Sequence, residues 1–402
     1  EKFFLVSNDR LESYRKIISF PEENKDSFGP FLDKMKRMGF VVNDGINEMD
    51  SIKKKFKALT VPHQYFLMVL PTYECNLRCW YCIQKHENLF MSDQVLANLK
   101  QLIKRKLQDD SITDLHLSWF GGEPLLAYDR VIDLTLFARD YAKEKGKTFS
   151  SAITTNGTLL TPERIEALRD AGVVNYQITI DGDRPTHNSV KKLGTISAYD
   201  RTLENINLIA RHTYVSLRFN YTRENLKPYG IMESLRSKLD PDVLGNITFN
   251  IYKVWQEDQE KVKEEDVDLL FNISMDSGLT PTLQTMGLCY ADRVHYDCVF
   301  PNGHVGKCDN HAPEEQPGIL QKDGTILWER DMTDLYSPHI FDGKQTQCRE
   351  CRHLPVCWGP CVVKRESMLM ARDRIGCVHQ HRDTEIERLI LNTCRTILQT
   401  TG

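Results

Sequence analysis

The sequence predicts an α/β protein: a partial (β/α)6 TIM-like barrel with a small N-terminal unit before it and a cysteine-rich module after it. Three observations carry this. Between residues 66 and 280, six apolar strand-like segments alternate with six amphipathic helical ones, and such alternation calls for a parallel sheet with helices outside. Beyond residue 280 the periodicity fades into short strands, turns and cysteines. The twelve cysteines are unevenly placed: none before Cys75, three within eight residues, none between Cys82 and Cys289, and nine after that gap. Six units fall short of a closed barrel, so an open side is expected; a doubly wound open sheet is the competing arrangement.

The elements follow in order. Residues 1–65 read as the separate N-terminal unit: FFLV as a short strand, FLDKMKRMGF as an amphipathic helix closed by Gly39, FVV as another strand, and the charged INEMDSIKKKFKAL as a helix. The barrel, residues 66–280, opens with the strand YFLMVLP, followed by the helix MSDQVLANLKQLIKRKL with Ser92 as its cap. HLSWF and YDRVIDLTLFARDYAKEK form the second pair. SSAITT and TPERIEALRDAG form the third, the helix opened by Thr161 and Pro162 and closed by Gly172. VVNYQITI with AYDRTLENINLIARH, VSLRFNYT with KPYGIMESLRSKL, and ITFNIYKV with EEDVDLLFNISMDSG complete the six. Residues 281–402 could not build a large apolar core and need metal to staple their loops.

Composition excludes several classes. Of 402 residues, 41% are hydrophobic and 27% charged, an ordinary globular mixture. Lys plus Arg number 52 against 56 Asp plus Glu, a net charge of −4, which makes no electrostatic case for a nucleic-acid partner. No apolar run approaches the roughly 20 residues that span a bilayer, so no membrane association is expected. The start, EKFFLVSNDR, lacks the pattern of a signal peptide; it also lacks Met, so trimmed residues are expected ahead of it. With clustered thiols, this points to a reducing compartment, the cytoplasm.

The strongest local signal is Glu74-Cys75-Asn76-Leu77-Arg78-Cys79-Trp80-Tyr81-Cys82, a C-x3-C-x2-C spacing just beyond the first barrel strand. Loops at that end carry the chemistry of parallel α/β folds. Three thiolates without an obvious fourth ligand suit a [4Fe–4S] cubane with one iron left open. A zinc site would need a further ligand, for which His86 is the available residue. Three unliganded free thiols this close would be a redox hazard.

This triplet, with an aromatic before its last Cys, resembles the radical S-adenosylmethionine (SAM) superfamily. Further matches end later strands: Gly121-Gly122-Glu123-Pro124, Thr154-Thr155-Asn156-Gly157, Thr179-Ile180-Asp181-Gly182 and Arg218-Phe219-Asn220-Tyr221-Thr222. Each alone could be ordinary turn chemistry; together and in order they are specific. The resemblance implies that the open iron chelates the SAM amino and carboxylate groups. Cleavage of SAM then yields a 5′-deoxyadenosyl radical that abstracts a hydrogen atom. It places Tyr81, Gly121, Gly122, Glu123, Asn156, Thr179 and Asn220 against SAM. Glu123 would face the methionine ammonium, and the paired glycines would allow close backbone approach to the ligand. Where the family often has an arginine about a dozen residues past the threonine, this chain offers Lys191 and Lys192, which neutralise a carboxylate without clamping it.

A second set reads Cys289, thirteen residues, Gly303, four residues, Cys308; then Cys348-x2-Cys351-x5-Cys357-x3-Cys361 and, fifteen residues on, Cys377. This arrangement resembles the SPASM extension of radical SAM enzymes, and a zinc ribbon would leave several of these thiols unexplained. The resemblance implies two auxiliary [4Fe–4S] clusters, making three in all. Cys348, Cys351, Cys357 and Cys377 would hold the outer one; Cys289, Cys308 and Cys361 the inner one. Cys298 is the candidate fourth ligand of the inner cluster, against an open iron that binds substrate. Cys394 reads as a core thiol. Asp309, directly after Cys308, occupies the place where the sulfatase-maturing relatives have a proton-accepting Asp; the alternative is a turn carboxylate. His304, His311, His379 and His381 read as surface or outer-sphere residues.

SPASM enzymes mostly modify peptides and proteins. The favoured reading is maturation of a ribosomally made precursor peptide, forming a C–C, C–O or C–S cross-link. The extension before the first cluster favours it, as a partial leader-recognition unit whose FFLV strand would pair with the leader. An external one-electron reductant, flavodoxin or ferredoxin in type, is implied. Oxidation of a sulfatase Cys or Ser to formylglycine is the alternative. A non-catalytic peptide-binding partner is the third reading, opposed by the intact triplet and GGEP.

Overall fold

A computed structural model describes residues 6, 8–20, 23, 25–42, 45–256, 262–283, 287–329, 341, 346–371, 376–377, 383–384, 386–388, 390–392 and 394. It divides into two compact units, residues 1–57 with 391–402, and residues 58–390. The expected limits at 65 and 280 do not coincide with this division.

The smaller unit holds helices α1 (Leu11–Ser19) and α2 (Lys25–Met38) and most of α3 (Glu48–Thr60). Tyr14 of α1 lies against Phe31 of α2, ring centroids 4.6 Å apart. Helix α2 starts earlier than the sequence suggested and kinks at Phe28, two residues before Pro30, whose ring cannot follow a regular turn. It stops where expected: Gly39 takes φ +77° and donates to the Lys36 carbonyl. The strand expected over 40–42 is not formed. The Phe40 N–H bonds the Met35 carbonyl, so it closes the helix instead of joining a ladder. The FFLV strand lies outside the described residues, apart from Val6.

In the larger unit, strands β1 (Gln64–Val69), β2 (Asp114–Trp119), β3 (Thr148–Thr155), β4 (Val173–Ile180), β5 (Tyr214–Tyr221) and β6 (Ile247–Lys253) pair in chain order, all parallel. Helices α4 (Asp93–Lys106), α5 (Tyr128–Glu144), α6 (Pro162–Ala171), α7 (Arg184–Val190), α8 (Ala198–Ala210), α9 (Pro228–Arg236) and α10 (Glu264–Asp276) connect them. A doubly wound sheet would reverse its strand order at a switch point; unbroken order is the winding of a barrel. The caps are those the sequence proposed: Ser92 accepts from Val95 N at 3.2 Å, Thr161 from Arg164 N at 3.3 Å, and Gly172 ends α6 at φ +104°.

The tail extends this sheet instead of standing apart. Strand β7 (Thr280–Leu283) adds beside β6; it escaped the sequence reading because it is short and contains Pro281, tolerated at a sheet edge. Strand β8 (Tyr296–Val299) pairs parallel with the free side of β1, and β9 (His304–Gly306), β10 (Gly318–Leu320) and β11 (Ile326–Trp328) follow antiparallel. The eleven strands run β11-β10-β9-β8-β1-β2-β3-β4-β5-β6-β7, so the barrel is open.

The alternation along each strand separates two faces. Leu67, Val69, Leu115, Leu117, Ile153, Ile178, Leu217, Phe219, Phe249 and Ile251 enter the core with the helices. The opposite face is polar over β2–β6. His116 Nδ1 meets Ser150 Oγ at 2.8 Å, Gln177 Nε2 donates to Thr154 Oγ1 at 3.4 Å, and Asn250 bonds Ser216. Over β1 and β8 that face is apolar, made of Met68, Leu70, Tyr73, Tyr296, Cys298 and Phe300. A closed barrel of this type is filled by branched apolar side chains; this one keeps a polar interior. Among the described residues no helix is long and apolar enough to cross a membrane.

Candidate active site

The sequence-marked segments gather at the carboxyl ends of the strands. After β1 the chain makes an excursion clasped at its base by the bridge Thr72–Phe90, with Tyr73 N bonded to Leu89 O at 2.9 Å. The excursion carries Cys75, Cys79 and Cys82. Leu77 N donates to Cys75 Sγ at 3.4 Å and Asn156 Nδ2 lies 3.9 Å from the same sulfur. Burial pushes the Cys75 thiol up to about 11, and the charges of Glu123, Cys79 and Cys82 add to it; burial raises Cys79 and Cys82 too. Three thiols that sense one another in such surroundings need a cation to become thiolates. Beside them Gln84 Oε1 and both ring nitrogens of His86 are buried without a hydrogen-bond partner, and His86 takes φ +52°. These features fit a metal group. Among the described residues no three Cys, His, Asp or Glu side chains close around a single ion. A cubane distributes its thiolates over separate corners.

The GGEP segment is built against this excursion. Gly122 N bonds Thr72 O at 3.1 Å and Glu123 N bonds Glu74 O at 2.9 Å. A Cβ on Gly121 would stand 2.5 Å from Thr72 O, and one on Gly122 2.2 Å from Glu74 O. The glycines therefore serve close packing of two backbones, a reason the sequence reading had attached to a ligand. Glu123 is fully buried, and its carboxylate accepts from Leu125 N (3.1 Å), Thr155 Oγ1 (2.7 Å) and Asn156 N (2.8 Å). With those bonds made, it braces the loops after β2 and β3.

Asn156 continues the brace. Its Nδ2 donates to Asn76 Oδ1 at 2.9 Å, and its Oδ1 accepts from Thr158 N and Oγ1 at 2.9 and 2.6 Å. At the end of β4, Asp181 joins several elements. Tyr81 Oη donates to its carboxylate at 2.5 Å, Lys191 Nζ lies 3.3 Å away, and Asn225 Nδ2 bonds its carbonyl at 2.9 Å. Lys191 also bonds the Thr179 carbonyl at 2.5 Å and is almost wholly buried. Its charge is thus matched by Asp181 within the protein. Lys192 is exposed. Asp181 anchors the triplet's Tyr81 to the fourth strand, a role its place in the TIDG segment did not reveal.

Arg218 opens the segment Arg218-Phe219-Asn220-Tyr221-Thr222 on β5. It stands on the polar face in register with Thr179 and Asn250. Its Nε donates to Asn220 Oδ1 at 2.8 Å and its guanidinium lies over the Tyr252 ring at 4.5 Å.

The tail cysteines form two groups. Burial raises Cys289 to about 11 and Cys308 to about 12, and each senses the other's charge or that of Cys361. Burial likewise raises Cys348 and Cys357, which sense Cys351 and Cys377. Cys298 faces the barrel interior on β8, fully buried and pushed well up by burial, with Asp309 and Cys308 adding. Cys394 is buried. Between the two groups runs an ion pair that the sequence did not signal: buried Arg365 bonds buried Asp292 through both terminal nitrogens, and also Pro360 O at 2.8 Å. Asp309 accepts from Tyr290 Oη at 3.0 Å. Burial raises its pKa, against the pull of Tyr290 and the Arg218 charge. His304 is half-buried with Nδ1 3.3 Å from Gln316 O, and His311 is 3.7 Å from Glu315; His379 and His381 lie outside the described residues.

Comparison with known proteins bears on this arrangement. Residues 69–222 match the Radical SAM superfamily. The chain is 25% identical over 362 residues to a serine-type anaerobic sulfatase-maturating enzyme of Bacteroides thetaiotaomicron, a match covering 75% of this chain and 83% of that one. It is 21% identical over 413 residues to the radical SAM cyclopropyl synthase TigE of Paramaledivibacter caminithermalis, covering 88% and 80%. The fold resembles that of anSMEcpe with bound AdoMet and Cp18Cys peptide, with TM-score 0.61, 17% identity and coverage of 85% and 100%. It also resembles Streptococcus suis SuiB bound to precursor peptide SuiA, with TM-score 0.53, 16% identity and coverage of 89% of each chain. A radical SAM domain implies one [4Fe–4S] cluster and SAM, and the triplet fits that cluster. Residues 69–222 form a radical SAM domain, and the chain is homologous to the anaerobic sulfatase-maturating enzymes.

Proposed function

We propose that this chain matures a ribosomally made precursor peptide by installing an intramolecular C–C, C–O or C–S cross-link. Cys75, Cys79 and Cys82 hold the SAM cluster. Cys289, Cys308 and Cys361, with Cys298 as fourth ligand, hold an inner auxiliary cluster, and Cys348, Cys351, Cys357 and Cys377 an outer one. When bound, the first cluster and SAM supply a 5′-deoxyadenosyl radical able to remove a hydrogen atom from an unactivated C–H bond. Tyr81, Gly121, Gly122, Asn156, Thr179 and Asn220 line the place of SAM. Asp309 takes a proton from a substrate side chain; its raised pKa and the Tyr290 hydroxyl poise it for that exchange. The observation that carries the cross-linking reading is the compact helical unit of residues 1–57 with 391–402, which suits recognition of a leader. A flavodoxin- or ferredoxin-type protein supplies electrons in the cytoplasm, and neither nucleic acid nor membrane is a partner.

Formylglycine formation is the second reading, favoured by the placement of Asp309 and by the sulfatase-maturating relative. Anaerobic incubation with candidate precursor and sulfatase peptides, followed by mass spectrometry, separates the two. A cross-link loses a hydrogen pair and leaves nothing for a hydrazide to trap, whereas formylglycine is trapped. Iron should approach about a dozen atoms per chain if three cubanes are held. The variant Asp309→Asn should still cleave SAM and form no product. Normal product formation removes Asp309 from the mechanism.

A further inference from the structure

Arg218 presents an unanswered charge in the barrel mouth. Strand β5 sends Val215, Leu217 and Phe219 into the core, so alternation sends Arg218 to the polar face. There the side chain is held in place: Nε is bonded to Asn220 and the guanidinium lies over the Tyr252 ring, 4.5 Å from its centroid. A guanidinium has five N–H donors, and among the described residues no partner meets its two terminal nitrogens and no carboxylate is in ion-pair contact. Burial disfavours its charge, and a desolvated cation without a counter-ion is costly. The buried cation Lys191, at the end of α7, is by contrast matched by Asp181. Arg218 lies in the field of Tyr81 from the first cysteine loop and of Asp309 and Tyr290 from the tail. Arg218 thus stands close enough to feel both the loop of the first cysteines and the residue assigned to substrate deprotonation.

We propose that Arg218 is a specificity-determining anchor for a carboxylate of the peptide substrate, an Asp or Glu side chain close to the residue that reacts. The planar fork accepts a carboxylate through two parallel bonds. The contact with the Tyr252 ring and the bond to Asn220 order the side chain beforehand, so little freedom is lost on binding. A neutral amide leaves the charge uncompensated, so the anchor discriminates Glu from Gln and Asp from Asn. The inference rests on the reading of the barrel mouth as the place of SAM and peptide.

The test uses the anaerobically reconstituted full chain. Affinity is measured by calorimetry for SAM alone and then, with SAM present, for the probes acetyl-Glu-Ser-amide and acetyl-Gln-Ser-amide. The wild type should prefer the Glu probe by about tenfold. Arg218→Gln should erase that preference and leave SAM affinity within about twofold. Arg218→Lys, which keeps the charge and loses the fork, should retain part of the preference, and circular dichroism and iron content verify that both variants fold. Equal affinity of the wild type for the two probes overturns the anchor. A roughly tenfold loss of SAM affinity in Arg218→Gln, with the Glu preference retained, assigns the fork to the SAM carboxylate and also overturns it. A wild type that binds and cleaves SAM without preferring Glu leaves the radical reading standing while the anchor fails. A wild type that neither binds nor cleaves SAM removes the reading itself.

Discussion

At Asp200, on α8, two opposing effects meet. Burial disfavours the carboxylate, but Arg184 at 2.5 Å, the Ser197 hydroxyl and Lys238 at 3.0 Å outweigh it and bring the pKa down to about 2. The unfolded value is about 4. A folded-state pKa below the unfolded one means that the stabilisation is present above about pH 4 and is lost as pH falls through about 2. The size is about 2 kcal/mol. Urea unfolding followed from pH 5 to pH 2 should show this loss in the wild type and a shallower one in Asp200→Asn. Equal slopes would mean the two cations do nothing for folding. At Glu123 the balance falls the other way: burial raises its pKa, against three donors and the Lys191 charge that favour the ionised form.

Elements are tied together at points where one atom decides the fit. Gly122 is one: a methyl group there would meet the Glu74 carbonyl, so the loop after β2 and the cysteine excursion would have to part. Gly122→Ala should lower the thermal midpoint and the iron retained after reconstitution. Gly230, in the first turn of α9, has only Lys227 Cβ at 4.0 Å; Gly230→Ala should raise stability by about 0.5–1 kcal/mol through the unfolded chain's entropy. The Asp292–Arg365 pair ties the segment after Cys289 to the helix Val362–Met370. Removing one partner of a buried pair leaves an uncompensated charge, so Asp292→Ala should destabilise by about 3–5 kcal/mol. Calorimetry should find the double change Asp292→Leu with Arg365→Met less damaging than the single one. The reverse order would show that the pair is not the source of the effect.

For the molecule as a whole, the consequential feature is that β8 completes the sheet beside β1. Met68, Leu70 and Tyr73 are covered by Tyr296, Cys298 and Phe300, and the β1 ladder from Phe66 to Val69 is paired by β8. Deleting residues 281–390 would bare both an apolar patch and a strand edge. Such a shortened chain should elute as aggregate in size-exclusion chromatography under conditions where the full chain does not. A well-behaved monomer would show that the barrel closes its own edge.

The strand–helix alternation and the caps Ser92, Thr161 and Gly172 were legible in the amino-acid sequence, because each is written in neighbouring residues through periodicity or turn chemistry. The short strand at Pro281 and the placement of β8 were not, since a brief segment carries too little pattern and a partner across the sheet leaves no local mark. The same limit applies to side chains. A motif names Glu123, Lys191 and Arg218, but only three-dimensional packing decided which charges are answered inside the protein. Glu123 finds donors on the loops after β2 and β3, Lys191 finds Asp181, and among the described residues Arg218 finds no carboxylate in contact. Electrostatic pairing depends on distance in space and on desolvation, neither of which is encoded by position along the chain.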